Sequence, residues 1–333
     1  MARRAAGGSE AHVAQAARDA VARGNAVDAV VTALLVAAAE SPGVLLGPVQ
    51  LLVGGAGAGL MAVDGRVRQP GLGIPRPRGV VAGQPVPPSA LIGVPAMPAA
   101  LATVLAALGA TTLVRAAGPA LERARAVSPE RAAVLQAFAR RGPTAMTADA
   151  IAGELAAVAG RASGGTLTVD DLGAVRPAVV SCPEGSLAPG GILRVPWRDA
   201  AQVGSGVTTH VVVAADGRGL VAVACYEVAI DGLPVPALGL VAPSMASPVM
   251  RGEPRVPPGE PRAASAPIAL RTRRGVIDFA VGVAQAPDAD AALEAVLVTL
   301  DDAAALLQVI HAAPGRAVAI ARTGDTVAAL ASA

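Results

Sequence analysis

The segment Val207–Gly217 reads VTTHVVVAADG and decides the architecture of the second half of the chain. Its β-branched residues favour a strand over Thr209–Ala215, and the Asp-Gly pair at 216–217 favours a tight turn. A second β-branched run, Leu220–Tyr226, follows the turn directly. The pattern predicts an antiparallel hairpin with two threonines at its open end.

Helical and strand-like patterns alternate on both sides of this hairpin. Helices are expected from Ser9, as the capping residue, to about Ala22, then over Ala26–Ala39, several times between 98 and 157, after a cap at Thr168, and over 289–298 and 301–312. Strands are expected over 51–53, 60–63, 276–283, 317–321 and 326–330, and little regular structure over 228–267. This order favours a layered α/β fold over a βαβ repeat.

The composition excludes several classes of function. Hydrophobic residues make up 53% of the 333 residues, enough for a large core, while aromatic residues make up 1%. The net charge is +2, every basic side chain is an arginine, and no basic stripe carries interleaved aromatics. Nucleic-acid binding is therefore not expected. Cys182 and Cys225 do not have metal-ligand spacing, and no metal site is expected.

The stretch Leu91–Val114 carries no charge and is long enough to cross a membrane as a helix. Its prolines, glycines and many alanines favour a buried helix with a proline-rich entry instead. The amino-terminal residues contain Glu10 and His12 in place of a continuous apolar run, so no signal peptide is expected. A soluble, cytoplasmic protein is predicted.

The glycine-rich segment at 54–59 follows a strand-like run. A dinucleotide fingerprint needs a third glycine that opens a helix, but Leu60 lies at that position. The segment is predicted to be a hairpin turn, and no cofactor is expected.

Four segments, at 23–30, 94–100, 164–172 and 208–217, resemble in this order four motifs of the γ-glutamyltranspeptidase family. RGNAVDAV at 23–30 is similar to the family's GGNAVDAAVA. GGTLTVDDL at 164–172 is similar to GG-x-[IL]-T-x-x-DL. TTH at 208–210, with Gly217 beyond it, is similar to TTH-x-S-V-V-x-x-x-G. A weaker match, VPAMPAA at 94–100, is similar to VPGTVAG.

The resemblance implies an N-terminal nucleophile (Ntn) hydrolase fold, in which two stacked antiparallel sheets lie between helix layers in an αββα sandwich. It also implies self-cleavage between Val207 and Thr208, with Thr208 as the nucleophile. Cleavage would free an α-amine with a pKa near 8, able to accept the hydroxyl proton. One domain over 1–333 would then consist of associated fragments, 1–207 and 208–333, acting on a small-molecule amide or γ-glutamyl-like substrate.

Several positions depart from the family's pattern for binding a glutamyl group. Arg66 is near the family's carboxylate-binding arginine, with Arg68 as an alternative register, and Glu227 falls where the family has an asparagine. The family's amine-binding acid and its serine pair are replaced by apolar or small residues at 242–248 and 263–264. An altered acyl specificity is therefore expected.

The oxyanion region departs from the pattern as well. Gln285 and Ala286 replace a glycine pair, and a side chain is strained there if the turn needs a positive φ. Three readings are open: an Ntn-type amide hydrolase or acyltransferase, an inactive homologue kept as a binding or scaffold protein, and an unrelated alanine-rich α/β protein. His12 and His311 are expected to be non-catalytic, and Asp28 to serve the helix start.

Overall fold

A computed structural model of the chain describes residues 3–74, 79–183, 187–197, 207–229, 232–312, 315–323 and 326–331. The strands in these ranges are β1 Ala5–Gly8, β2 Val49–Gly54, β3 Leu60–Gly65, β4 Ala178–Ser181, β5 Ile192–Leu193, β6 Val207–Ala215, β7 Val221–Ala229, β8 Gly232–Val235, β9 Leu240–Pro243, β10 Ile268–Arg273, β11 Val276–Ala284, β12 Arg316–Thr323 and β13 Thr326–Ala331. The α-helices are α1 Ala11–Arg23, α2 Ala26–Glu40, α3 Met97–Leu108, α4 Leu113–Val127, α5 Pro129–Arg141, α6 Asp149–Ala159, α7 Val169–Ala174, α8 Ala289–Val298 and α9 Ala303–Ala312.

Two antiparallel sheets form the centre of the fold. The first has the strand order β1-β6-β7-β2-β3-β4, and the second has the order β13-β12-β11-β10-β5. A separate two-stranded sheet pairs β8 with β9. The β6–β7 hairpin lies inside the first sheet, with β1 on one side and β2 on the other.

Three apolar cores separate four layers. The helix-side core packs α2 and neighbouring helices against the first sheet and includes Leu34 and Tyr226. The inter-sheet core includes Val211 and Cys225 of the first sheet and Leu270 of the second. A third core packs the other face of the second sheet against α8 and α9. The αββα sandwich expected from the sequence is confirmed.

The glycine-rich segment at 54–59 is the β2–β3 turn, as predicted. Gly55, Ala56, Gly57 and Gly59 all adopt positive φ. Left-handed backbone favours glycine, because it lacks the Cβ that would clash there. The segment therefore connects two strands and opens no helix.

Two expectations from the sequence are wrong in detail. Ser9 does not cap the first helix, because Glu10 precedes its first turn and makes no side-chain cap. The Ser9 hydroxyl instead accepts a hydrogen bond from the Val211 N–H at 3.1 Å. The segment 228–267 is also more regular than expected, since it contains the β8–β9 pair. Gly324 and Asp325, which the sequence predicts to lie between the strands of a final hairpin or between a strand and a tail, are outside the described residues.

Two further features bear on the sequence analysis, namely the state of the two cysteines and the presence of helices long enough to span a membrane. Cys182 and Cys225 are both buried and free. Within the described ranges, no helix combines the length and the apolar character that crossing a bilayer requires.

Candidate functional site

The open end of the β6–β7 hairpin holds the threonine pair and Glu227. Thr208 lies opposite Val228, and Thr209 lies opposite Glu227. Thr208 is half-buried, whereas Thr209 is 7% exposed. Directly opposite residues of antiparallel strands share a face of the sheet, so each threonine has a different neighbourhood.

Glu227 is a buried carboxyl at this end of the hairpin. It is 4% exposed, and one carboxylate oxygen accepts a hydrogen bond from the Ser265 N–H at 2.8 Å. Burial raises the pKa of Glu227 to about 7, and the Ser265 N–H opposes part of that rise. The side chain can therefore change charge near neutral pH. Sequence reasoning placed Glu227 in the site, and the structure places it beside Thr209.

A continuous run of contacts joins Glu227 to Arg66 across the first sheet. The Ser265 carbonyl accepts a hydrogen bond from the Gln50 amide at 3.0 Å. The Gln50 carbonyl oxygen accepts one from the Trp197 indole at 2.6 Å, and the Arg66 guanidinium lies 5.6 Å from the centre of the Trp197 ring. Two of the predicted site residues, Glu227 and Arg66, therefore belong to one run of contacts.

The sequence motifs do not predict three residues of this run of contacts: Gln50, Trp197 and Ser265. Gln50 gave one usable signal, because it is the polar residue in the otherwise apolar strand VQLLVG. Buried polar groups normally need partners, so such a residue marks a polar contact. Trp197 and Ser265 lie in irregular segments whose local patterns carry no comparable signal.

Arg66 is held by Asp64 rather than left open towards a ligand. Its Nε donates to Asp64 Oδ1 at 3.0 Å, and its Nη2 donates to Asp64 Oδ2 at 3.1 Å. Arg68 Nη2 lies 3.2 Å from the same carboxylate. Arg66 and Arg68 are both buried, and burial lowers the pKa of Arg68. A substrate carboxylate would have to compete with Asp64 for either cation.

The turn after β11 brings Gln285, one of the two predicted oxyanion residues, to the backbone of Thr209. Gln285 adopts φ +54°, the left-handed region in which a side chain is strained. Its N–H donates to the Thr209 carbonyl at 3.1 Å. Gln285 is exposed and Ala286 half-buried. The turn therefore has the positive φ that suits glycine, but the Gln285 donor is engaged by the strand itself.

His210, the histidine of the TTH segment, lies on the face of β6 opposite to Thr209. The His210 ring stacks on Tyr226 with centroids 5.3 Å apart. Its Nδ1 lies 3.7 Å from Glu10, whose carboxylate also accepts a hydrogen bond from the Tyr226 hydroxyl at 2.9 Å. Burial lowers the pKa of His210, and Glu10 opposes that shift. His210 fastens the start of α1 to the hairpin.

The two remaining strong motifs are structural. Asp28 caps α2 and also accepts hydrogen bonds from the N–H groups of Ala110 and Thr111, as the expected role at the helix start requires. Asp171 caps α7 and holds the N–H groups of Gly71 and Leu72. Both carboxylates join distant loops to helix starts.

Among the described residues, no group of three or more His, Cys, Asp or Glu side chains is placed to hold a metal ion. A cavity of about 450 Å³ lies near α5 and α6, lined by Val134 and Ile151 among others, and contains neither threonine. The candidate site therefore rests on its polar groups.

Comparison of the whole fold gives the clearest relationship. The sequence matches no model of a known family, and no curated protein sequence matches it. Cephalosporin acylase from Bacillus halodurans superposes with a TM-score of 0.72 at 14% identity, covering 99% of this chain and 94% of the acylase chain. The chain has the acylase fold. A structure named LmbA2991HD matches with a TM-score of 0.72 at 14% identity, covering 98% of this chain and 96% of that one.

γ-Glutamyltranspeptidases are also among the similar structures, over a smaller part of the chain. The Helicobacter pylori enzyme has a TM-score of 0.44 at 17% identity and covers 51% of this chain and 63% of that chain. The acylase fold is therefore established over nearly the whole chain, whereas membership of the transpeptidase family stays a prediction from the four motifs.

Proposed function

We propose that this protein is an Ntn-type amide hydrolase or acyltransferase with a threonine nucleophile freed by self-cleavage at the start of β6. The observation that supports the proposal is that Thr209, the buried Glu227 carboxyl and the Gln285 turn meet at one end of a sandwich with the acylase fold. The alignment of the TTH motif indicates Thr208 as the nucleophile and the Val207–Thr208 bond as the bond that is cleaved.

The chemistry follows from placing a threonine at a new amino terminus. The freed α-amine accepts the hydroxyl proton while the oxygen attacks the substrate carbonyl. The amine of the substrate leaves with a proton, and an ester joins the acyl group to the threonine. Water, or an acceptor amine, then releases the acyl group. Water as acceptor gives hydrolysis, and an amine gives transfer.

The charges at the site support an altered acyl specificity. A γ-glutamyl group carries both a carboxylate and an ammonium, and each needs an opposite charge placed to meet it. Arg66 and Arg68 share the Asp64 carboxylate, and the family's amine-binding acid is absent from 242–248. We therefore propose an amide with a neutral acyl group as the preferred substrate.

The activity is tested by amine release from a panel of chromogenic anilides. The panel contains neutral acyl anilides of increasing length and the γ-glutamyl anilide. The wild-type protein is expected to release the amine from a neutral member faster than from the γ-glutamyl anilide. A double variant, Thr208→Ala with Thr209→Ala, is expected to release none, whichever hydroxyl reacts.

The competing reading is an inactive homologue kept as a binding or scaffold protein. The engaged Gln285 N–H favours it, because losing one oxyanion donor typically lowers the rate about a hundredfold to a thousandfold. A folded wild-type protein that neither cuts itself nor turns over any anilide would establish this alternative. Faster turnover of the γ-glutamyl anilide would instead refute the specificity while keeping the activity.

A further inference from the structure

The two threonines at the start of β6 project from opposite faces of the first sheet. Val211 and Val213, which share a face with Thr209, belong to the inter-sheet core. Val212 shares a face with Thr208 and belongs to the helix-side core. Thr209 therefore faces the second sheet, and Thr208 faces the helix layer.

The opposite strand gives the same assignment independently. Thr208 lies opposite Val228, which packs against the helix-side core. Thr209 lies opposite Glu227, two residues after Cys225, which belongs to the inter-sheet core. The hairpin register is regular along its whole length, so no bulge exchanges the faces.

The remaining polar groups of the site lie on the Thr209 face. The Glu227 carboxylate and the Cys225 thiol both contact Ser265, from the segment that leads into β10 of the second sheet. The Gln285 turn belongs to the second sheet as well, and its N–H donates to the backbone carbonyl of Thr209. A hydroxyl on the Thr208 face points away from all of these groups.

From this geometry we infer that Thr209, rather than Thr208, is the nucleophile, and that the chain cuts itself between Thr208 and Thr209. The inference rests on the proposed function and names a different residue for it. It also restores the parity of the hairpin, because the motif has an even number of steps between its first threonine and its glycine, and the number from Thr209 is 217 − 209 = 8. The motif has ten residue steps from its first threonine to its glycine, whereas this chain has 217 − 208 = 9. A slip of one residue exchanges the faces of a strand.

Self-cleavage at this position balances without any other reactant than water. The Thr209 oxygen attacks the Thr208 carbonyl carbon, the bond from that carbon to the Thr209 nitrogen breaks, and the hydroxyl proton goes to that nitrogen. An ester then joins Thr208 to the Thr209 oxygen. Water hydrolyses the ester and leaves a carboxyl on Thr208, a free amine on Thr209 and a regenerated hydroxyl.

The test is the intact mass and the new amino-terminal sequence of the purified full-length protein after incubation at neutral pH. The second fragment is expected to begin with Thr209-His210, and so to be lighter by one threonine residue than a fragment that begins at Thr208. Thr208→Ala is expected to cut, Thr209→Ala to stay intact, and Thr209→Ser to restore cutting.

Circular dichroism and thermal unfolding of each variant separate lost chemistry from lost folding. A fragment that begins at Thr208, or a folded Thr209→Ala that cuts while a folded Thr208→Ala does not, would overturn the Thr209 assignment and leave the proposed function intact. A folded wild-type chain that stays whole would overturn both. An unfolded Thr209→Ala leaves the decision to the fragment sequence of the wild type.

Discussion

At the scale of single residues, the proposed chemistry centres on Thr209 and Glu227. They lie opposite each other on adjacent strands, and both are buried. A carboxyl that titrates near neutral pH beside a threonine can change the charge of the site within the working range of most enzymes. The same property makes the stability of the fold depend on pH.

Replacing Glu227 by glutamine should reduce the dependence of the unfolding free energy on pH. The folded pKa is about 7, and the ordinary value is 4.5, so the folded state holds the proton more tightly. The stabilisation from the neutral carboxyl is complete below pH 4.5 and is lost as pH rises through 7. The free energy of unfolding falls by about 3 kcal/mol in this range because of Glu227. Urea unfolding of Glu227→Gln and the wild type at pH 5 and pH 8 measures it.

The matched control for this experiment is Glu122→Gln, on the exposed side of α4. Glu122→Gln should keep the wild-type difference between the two pH values, because an exposed carboxyl meets similar solvent in both states. An equal pH dependence in Glu227→Gln and the wild type would show that Glu227 titrates normally in the folded protein.

At the scale of elements, the start of α2 is held by one carboxylate. Asp28 accepts hydrogen bonds from Asn25 at 2.8 Å, Ala110 at 3.0 Å and Thr111 at 3.1 Å. The first closes a capping box, and the other two tie the α3–α4 connection to the helix. The segment at 23–30, which resembles a motif of a catalytic family, thus stabilises the start of α2.

The Asp28→Ala variant should lower the free energy of unfolding by about 3 kcal/mol, because three backbone N–H groups lose a charged acceptor that is itself buried. Asp19→Ala in α1 is the control, since the exposed Asp19 accepts only from Gln15 in the same helix. The control should change stability by less than about 0.5 kcal/mol. Equal losses in the two variants, measured by urea unfolding, would contradict the assigned role of Asp28.

Elements with local signals could be predicted from the sequence, and long-range choices could not. Asn25 and Thr168 each begin a helix with a capping box, and each box is contained in four consecutive residues of the sequence. Ser9 carries the same kind of signal, but its hydroxyl bonds to Val211, a strand partner 202 residues away. The face taken by each threonine depends likewise on the register between two strands, which a motif alignment does not contain.

At the scale of the whole molecule, the proposed cut would leave two interleaved fragments. Strands β6 and β7 follow the cut, yet they lie between β1 and β2, which precede it. In the second sheet, β10 follows the cut and pairs with β5. Each fragment therefore completes a sheet of the other, and neither has a closed core alone.

The cut protein should consequently behave as one particle. Size-exclusion chromatography in native buffer is expected to elute both fragments together at the position of the intact Thr209→Ala variant. The same sample in denaturant should separate into two peaks. Separation in native buffer would show that the strand pairs across the cut do not hold the fragments together.

The start of β6 also offers a unique chemical handle. Every basic side chain is an arginine, so the chain has no lysine ammonium to compete for acylating reagents. Apart from the first residue of the chain, the terminus released by the cut would be the sole primary aliphatic amine. A succinimidyl dye applied at neutral pH would then tag the second fragment at its reactive residue, and the dye bound to that fragment, separated from the first in denaturant, would count matured molecules in a preparation.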